Sequence, residues 1–208
     1  MKINKCRNCF SKKIISLFSL GKMSFTGKFS RYRNKIPKAY INLVICKKCK
    51  LVQLDRNFNT KYLYAKDYGY RTGINKTMRN HVKKTVNLLK KKIKLKNNDA
   101  VLDIASNDGT LLNYYGKKYI TVGIDPISSK YKSNYKNIDY QIPEFFNLKS
   151  IKKINLKKKF KIITALSVFY DLKKPNNFLK DVKKILEPKG IFLLEFQNLS
   201  LIIKNLMF

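Results

Sequence analysis

The chain has 208 residues, 44% of them hydrophobic, enough for one full domain and a small second one. Its 46 Lys and Arg against 12 Asp and Glu give a formal charge of +34, which points first to anionic partners. No apolar run approaches the length of a membrane-spanning helix and none reads as a targeting segment, so no membrane partner and a cytoplasmic location are expected. The lysines, however, are spread over every segment, and Lys, Asn, Ile, Tyr and Phe are raised together, as an A/T-rich coding sequence would produce. Solvated lysines on helix faces and loops account for the charge, and nucleic acid is not the expected partner. The acids are distributed differently. None precedes Asp55, and six of the 12 (Asp99, Asp103, Asp108, Asp125, Asp139, Glu144) fall between 99 and 144. Such a local negative field favours a cationic ligand and disfavours a phosphate.

Residues 1–54 hold all four cysteines, as Cys6-Arg-Asn-Cys9 and Cys46-Lys-Lys-Cys49 with 36 residues between the pairs. Two such knuckles fit tetrahedral Zn²⁺, because each tight turn presents two thiolates to one ion. The apolar run Ile41 to Ile45 precedes the second pair and Leu51-Val-Gln-Leu54 follows it, a strand, a knuckle and a returning strand in the manner of a zinc ribbon. The rival readings are two disulfides or a redox dithiol, but nothing secretory supports the first and no βαβ context the second. A closed Cys₄ site is structural, since it leaves no open position for catalysis. A basic zinc ribbon that binds nucleic acid is the alternative from another functional class.

Residues 55–73 are rich in tyrosine (Tyr62, Tyr64, Tyr68, Tyr70) and end in Arg71-Thr-Gly73. The rings either pack a linker or offer phenols to a pocket between modules, where sites tend to form. From Ile74 to Leu95 the apolar residues Ile74, Met78, Val82, Val86, Leu89 and Ile93 recur at helical spacing. His81, the only histidine, sits beside that stripe and reads as a packed or half-exposed residue. Asn97-Asn-Asp99 breaks the helix.

From residue 100 strands alternate with helical stretches, which predicts an α/β domain with a mostly parallel sheet and helices on both faces. The strands are expected at 100–104, 120–125, 137–141, 160–166 and 189–196, and the clearest intervening helix at Asn176 to Leu186. Val101 to Leu112 reads as a strand, a tight polar turn and a helix start, which aims backbone N–H groups at a ligand. It has too few glycines for a dinucleotide fingerprint and lacks the Gly-Lys-Ser/Thr of a P-loop. Asp125 ends the next strand 22 residues after Asp103, where an acid is placed to take ribose hydroxyls. Ribose without pyrophosphate in an acid-rich site points to S-adenosylmethionine, a sulfonium cation. The strand ends carry Asp103 to Gly109, Asp125-Pro126, Glu144-Phe-Phe146, Ser167 to Asp171 and Glu195-Phe-Gln197. The final segment, Leu199 to Phe208, begins a helix and stops without a cap, beside a strand left as an apolar sheet edge, so a truncated or split chain is expected.

The following segments together, in this order, resemble the S-adenosylmethionine-dependent sugar C-methyltransferases of deoxysugar biosynthesis. They are Cys6-x-x-Cys9, Leu20-Gly-Lys-Met23, Thr26-Gly27, Cys46 to Leu54, Asp67-Tyr-Gly-Tyr-Arg-Thr-Gly73, Asn75, Met78, Asn80-His81, Leu102 to Leu112, Gly123-Ile-Asp-Pro126 and Phe169-Tyr-Asp-Leu172. That resemblance implies an N-terminal zinc-binding domain (1–62), a Tyr-rich linker and helix (63–98), and a class I, Rossmann-like methyltransferase domain (99–208) incomplete at its C-terminus. A nucleotide-linked 4-keto-deoxysugar would lose a proton beside its carbonyl, and the enolate would take the cofactor methyl. By position, Asp103, Ser106, Asn107, Asp108 and Gly109 would cradle the methionine part and Asp125 the ribose, with Glu144 at the same cofactor site. Tyr68 and Tyr70 lie in the segment that family members use near the sugar. Asp171 stands where many members place a catalytic-site His. Ala105 replaces the usual Gly, hindering the closest backbone approach, whereas Asn107 tolerates positive φ. Family members continue past the point matching Phe208 into an Asp-Thr-x-x-His-Glu-His segment that bears the expected base. An inactive or split fragment, partnered by a C-terminal half or an oligomer mate, is the other alternative.

Overall fold

A computed structural model describes residues 1–24, 36–64 and 68–206. Thr26, Gly27 and Asp67, and the side chain of Tyr62, lie outside the described residues. The chain forms two compact units, Met1–Tyr70 with Lys173–Asn176, and Arg71–Leu172 with Asn177–Phe208.

In the first unit, β1 (Ile14–Ser24), β2 (Lys38–Cys46) and β3 (Val52–Leu54) form an antiparallel sheet in that order. β2 and β3 are the strand and returning strand expected around the second knuckle. β1 is a finding, because its sequence carries no usable alternation. Leu17, Phe18 and Leu20 are all exposed, so neither face of the strand is written in period two. β1 also slips register against β2 between Ser16 and Phe18 and between Ser19 and Lys22. The chain start runs beside the segment after β3, with Ile3 N–H donating to Asp55 O and Asn57 N–H to Met1 O. A short helix, α1 (Thr60–Leu63), follows.

The second unit opens with α2 (Lys76–Lys92). Asn75 caps it by accepting from Thr77 N–H and Met78 N–H. Ile74, read from the sequence as part of the apolar stripe, therefore precedes the cap and is exposed. Val82, Thr85, Val86 and Leu89 form the buried face. After it come β4 (Ala100–Ile104), α3 (Thr110–Asn113), β5 (Ile120–Ile124), a 3₁₀ segment Ser128–Tyr135, β6 (Tyr140–Ile142) and α4 (Leu148–Lys152). Then follow β7 (Phe160–Leu166), a 3₁₀ turn Phe169–Asp171, α5 (Pro175–Ile185), β8 (Leu186–Glu195) and α6 (Leu199–Lys204).

The five strands lie in the order β6-β5-β4-β7-β8, and every pairing is parallel. Strand order reverses between β4 and β7, the switch point at which such sheets bind ligands outside their carboxyl ends. This is a Rossmann-like class I methyltransferase fold. α2 covers one face, where Val82, Val86 and Leu89 meet Val101, Leu111 and Ile162. α5 covers the other, where Phe178 and Val182 meet Leu102, Val122 and Ile163.

Two strand boundaries differ from the sequence reading. The third strand is Tyr140–Ile142, not 137–141, because Asp139 turns aside to accept both the N–H and the hydroxyl of Thr121. The fifth starts at Leu186 instead of 189, after a helix that ends at Ile185. β8 carries Pro188, which is tolerated because β8 is an edge strand. Gly190 is needed because a Cβ would stand 3.0 Å from the Lys161 carbonyl oxygen on β7.

Candidate functional site

The two cysteine knuckles have the same backbone. Cys6 N–H donates to Ser11 O and Phe10 N–H to Cys6 O, while Cys46 N–H donates to Leu51 O and Lys50 N–H to Cys46 O. Phe10 and Lys50, each one residue past a knuckle, take φ of 59° and 62°. The turns bring the sulfurs together: Cys6 Sγ is 3.6 Å from Cys49 Sγ, Cys9 Sγ is 3.6 Å from Cys46 Sγ, and all four lie within 4.8 Å of one another. Four sulfurs bound tetrahedrally at about 2.3 Å would be about 3.8 Å apart, so the donor set and its spacing fit Zn²⁺. Burial pushes the Cys6 thiol up, but N–H donors from Cys9, Asn8 and Gln53 outweigh it and bring it down to about 6. A thiol prepared to ionise is what a metal ligand requires.

In the second unit the site is built on the turn between β4 and α3. Three residues in five take positive φ: Ala105 (60°), Asn107 (50°) and Gly109 (74°). Ala105 carries the conformation that costs a Cβ-bearing residue about 1–2 kcal/mol, which locates the strain where the family resemblance expects glycine. Gly109 is required, since a Cβ there would come within 2.6 Å of Ile138 Cδ1.

Asp108 is wholly buried and accepts four hydrogen bonds. Arg71 Nε and Gly73 N–H donate to Oδ2, both at 3.0 Å, and the Thr110 hydroxyl (2.6 Å) and N–H (3.2 Å) donate to Oδ1. Thr72 N–H donates to Asn107 Oδ1 at 2.9 Å, and the Arg71 guanidinium stacks 5.2 Å above Tyr131. Thus Arg71-Thr-Gly73 closes over the turn. A Cβ on Gly73 would stand 2.6 Å from Asp108 Oδ2, which explains the glycine. Behind the turn, Ser106 Oγ is 2.8 Å from the Tyr135 hydroxyl, which donates to Asn107 O.

Asp103 and Asp125 lie at the carboxyl ends of β4 and β5. Thr164 on β7 donates to Asp103 Oδ1 at 2.5 Å across the switch point. Asn107 N–H and Ile127 N–H donate to Asp125. Among the described residues no Lys or Arg pairs with either acid. Burial, reinforced by the charge of Asp125, pushes the Asp103 carboxyl up to about 7 against the opposing Thr164 bond. Burial also raises Asp125, opposed by its two N–H donors.

The remaining expected residues are placed elsewhere. Glu144 follows β6 and turns toward α4, where Ser150 Oγ donates to Oε2 at 2.5 Å and Lys153 pairs with Oε1. The Lys153 and Ser150 bonds hold it below its usual range. Of the six acids that suggested a negative field, Asp99 binds Lys96 N–H and Asp139 binds Thr121, both where strands start, and Glu144 has its own cation. Asp108 is likewise paired with Arg71, so what remains of the field comes from Asp103 and Asp125. Tyr68 and Tyr70 belong to the first unit, with ring centroids 6.5 Å apart, and Tyr70 is exposed. Asp171 ends the 3₁₀ turn after β7 and is half-buried.

Several contributors were not legible from the sequence. Arg71, Tyr135 and Thr164 reach the turn from distant segments; the sequence places Arg71 in the Arg71-Thr-Gly73 segment but assigns it no role at the turn. His81 is half-exposed, one of the two readings expected, and its Nε2 lies 2.6 Å from Glu195 Oε2 at the carboxyl end of β8.

A family described as "Methyltransferase domain" matches residues 74–207. The chain belongs to that family. A second family, described as "Putative zinc binding domain", matches residues 6–64. No curated protein sequence matches the chain significantly. Among solved structures, the plantazolicin methyltransferase BpumL in complex with a monoazolic desmethylPZN analog and SAH is 19% identical over 61% of this chain and 49% of that one, with a TM-score of 0.47. The PH0226 protein from Pyrococcus horikoshii OT3 is 21% identical over 72% of this chain and 67% of that one, with a TM-score of 0.48. Coclaurine N-methyltransferase, bound to N-methylheliamine and SAH, is 13% identical over 62% and 40%, with a TM-score of 0.43. This methyltransferase-family chain spans about half the length of the BpumL protein it matches. No helix of the described residues is long and apolar enough to cross a membrane.

Two measurements test the geometry. Ala105→Gly removes the positive-φ strain and is expected to raise the unfolding free energy by about 1 kcal/mol in urea denaturation. Freshly purified, reduced protein should carry one zinc per chain by elemental analysis, and chelation should make all four cysteines reactive to a thiol reagent.

Proposed function

We propose that this chain carries the zinc module and the cofactor site of an S-adenosylmethionine-dependent C-methyltransferase acting on a nucleotide-linked keto-deoxysugar. The observation that carries the cofactor reading is the pair of buried acids, Asp103 and Asp125, which pair with no Lys or Arg among the described residues and flank a turn with no phosphate-binding signature. A cationic, ribose-bearing ligand completes that arrangement, and an anionic one opposes it. Asp103 and the Ser106 to Gly109 turn would hold the methionine part. Each Asp125 oxygen accepts one N–H and retains capacity for another donor, which suits two ribose hydroxyls. Glu144, engaged by α4, is a second-rank candidate for the same cofactor.

Bound there, S-adenosylmethionine supplies an electrophilic methyl group. The residues of the chain have the other tasks. By the family resemblance, Tyr68 and Tyr70 would hold sugar hydroxyls or an enolate oxygen by hydrogen bonding, and Asp171, past the carboxyl end of β7, would lie near the acceptor. Abstraction of the proton beside the carbonyl requires a base within hydrogen-bonding reach of that carbon. The sugar-methyltransferase reading rests on the joint order of the zinc knuckles, the Tyr-Gly-Tyr-Arg segment and the acidic turn.

With the base supplied by a co-expressed C-terminal partner, incubation with methyl-¹³C S-adenosylmethionine and a nucleotide-linked 4-keto-deoxysugar should place the label on a sugar carbon, read by ¹H–¹³C correlation. Asp125→Asn should lower cofactor affinity ten- to hundredfold, the worth of about 1.5–3 kcal/mol for charged hydrogen bonds. Label on oxygen, nitrogen or nucleic acid would contradict the assignment.

A further inference from the structure

Arg7 lies inside the first knuckle, between Cys6 and Cys9, and its guanidinium is fully used. Nε and Nη2 donate to Asn57 Oδ1 (3.2 and 2.9 Å), Nη2 to Arg56 O (2.8 Å), and Nη1 to Leu54 O (2.7 Å) and Gln53 Oε1 (3.1 Å). Gln53, on β3, is buried. Its Oε1 also accepts the Arg7 backbone N–H at 3.2 Å. Two donors converge on that oxygen, so the amide has one allowed orientation, because a flip would oppose N–H to N–H. The other end of the amide is thereby aimed at the metal site, where Nε2 donates to Cys6 Sγ at 3.3 Å.

We propose that Gln53, oriented by Arg7, is the positioning residue of the zinc site: it donates to the Cys6 thiolate, while Arg7 supplies the positive charge that offsets the net −2 of four thiolates on Zn²⁺. The inference rests on the zinc reading and extends it beyond the four ligands. Outer hydrogen bonds of this kind fix ligand orientation and typically change metal affinity 10- to 100-fold. Arginine is required because a lysine ammonium has three donors and no planar fork with which to span Gln53, Leu54, Arg56 and Asn57. The same contacts tie the metal to the segment after β3. Asn57 in turn holds the chain start, its N–H donating to Met1 O.

The test is zinc affinity of the full chain by competition with a chromophoric chelator, together with the sulfur-to-cobalt charge-transfer bands of the Co²⁺ form. Gln53→Glu keeps the acceptor for Arg7 and replaces the N–H donor at sulfur by a carboxylate oxygen of added negative charge, so Gln53→Met, which removes the donor without adding charge, is measured beside it and should weaken binding as well. Gln53→Glu should weaken zinc binding 10- to 100-fold and shift the cobalt bands, and Arg7→Lys should weaken binding with Gln53 intact. A Gln53→Glu protein that binds zinc within about twofold of the unsubstituted chain, with unchanged cobalt bands, would overturn the proposal. An unsubstituted chain that takes up no zinc would instead overturn the metal reading itself.

Discussion

Asp108 has no exposed surface, and the carboxyl end of the sheet is arranged around its charge. A buried carboxylate is tolerated only when paired and hydrogen-bonded. Here one cation, two backbone N–H groups and one hydroxyl meet that requirement. Those partners bring Arg71 to Gly73 down over the turn, and Asn75, two residues later, starts α2. The turn, the start of α2 and the closing segment are therefore one construction. Asp103 and Asp125 are different. They are nearly as buried but pair with no Lys or Arg among the described residues, and each is raised by burial and less disposed to ionise. The protein satisfies one acid with its own arginine and leaves two for something else.

The zinc-binding unit solves a similar charge problem by another route. Its four sulfurs are collected by two turns of the same hydrogen-bonding pattern, and the arginine within the first turn lies outside the ligand set. Each unit places an arginine next to its buried negative charge, Arg7 beside the thiols and Arg71 beside Asp108. In both, backbone N–H groups share the work, which keeps the geometry independent of long, mobile side chains.

Much of the architecture could be read from local pattern. β4, β5 and β7 are short apolar runs flanked by polar turns, and their limits follow hydrophobicity closely. The Cys-x-x-Cys knuckles fixed their own geometry through spacing. What failed was decided by partners far along the chain. β1 is exposed on both sides and so has no alternation. The limits of β6 and β8 were set by the Thr121–Asp139 bonds and by an edge position that admits Pro188. At the site, Asp103, Asp108 and Asp125 were visible as acids around a strand–turn–helix. Their different partners were not, nor was the upward push on Asp103 and Asp125, because these depend on Arg71, Thr164 and depth of burial. Glu144 was grouped with them by position along the chain, whereas Ser150 and Lys153 hold it against α4. The alanine at 105 was correctly singled out, and the structure shows why: the backbone there is left-handed.

The central claim is that two uncompensated acids make this a site for a cation. Asp103 has a folded-state pKa near 7, above its unfolded value, so it is largely neutral below that pH and ionised above it. The stability that its protonated form contributes to the free protein is lost as pH rises toward 7, and attraction for a positive ligand grows over the same window. The direct measurement is the affinity of the chain for S-adenosylmethionine relative to S-adenosylhomocysteine, which lacks the sulfonium charge, by calorimetric titration between pH 6 and 8.5. The ratio should rise severalfold as pH passes through about 7, bounded by tenfold per unit, and become flat in Asp103→Asn. A ratio independent of pH in the unsubstituted chain, or tighter binding of the uncharged product at high pH, would contradict the account.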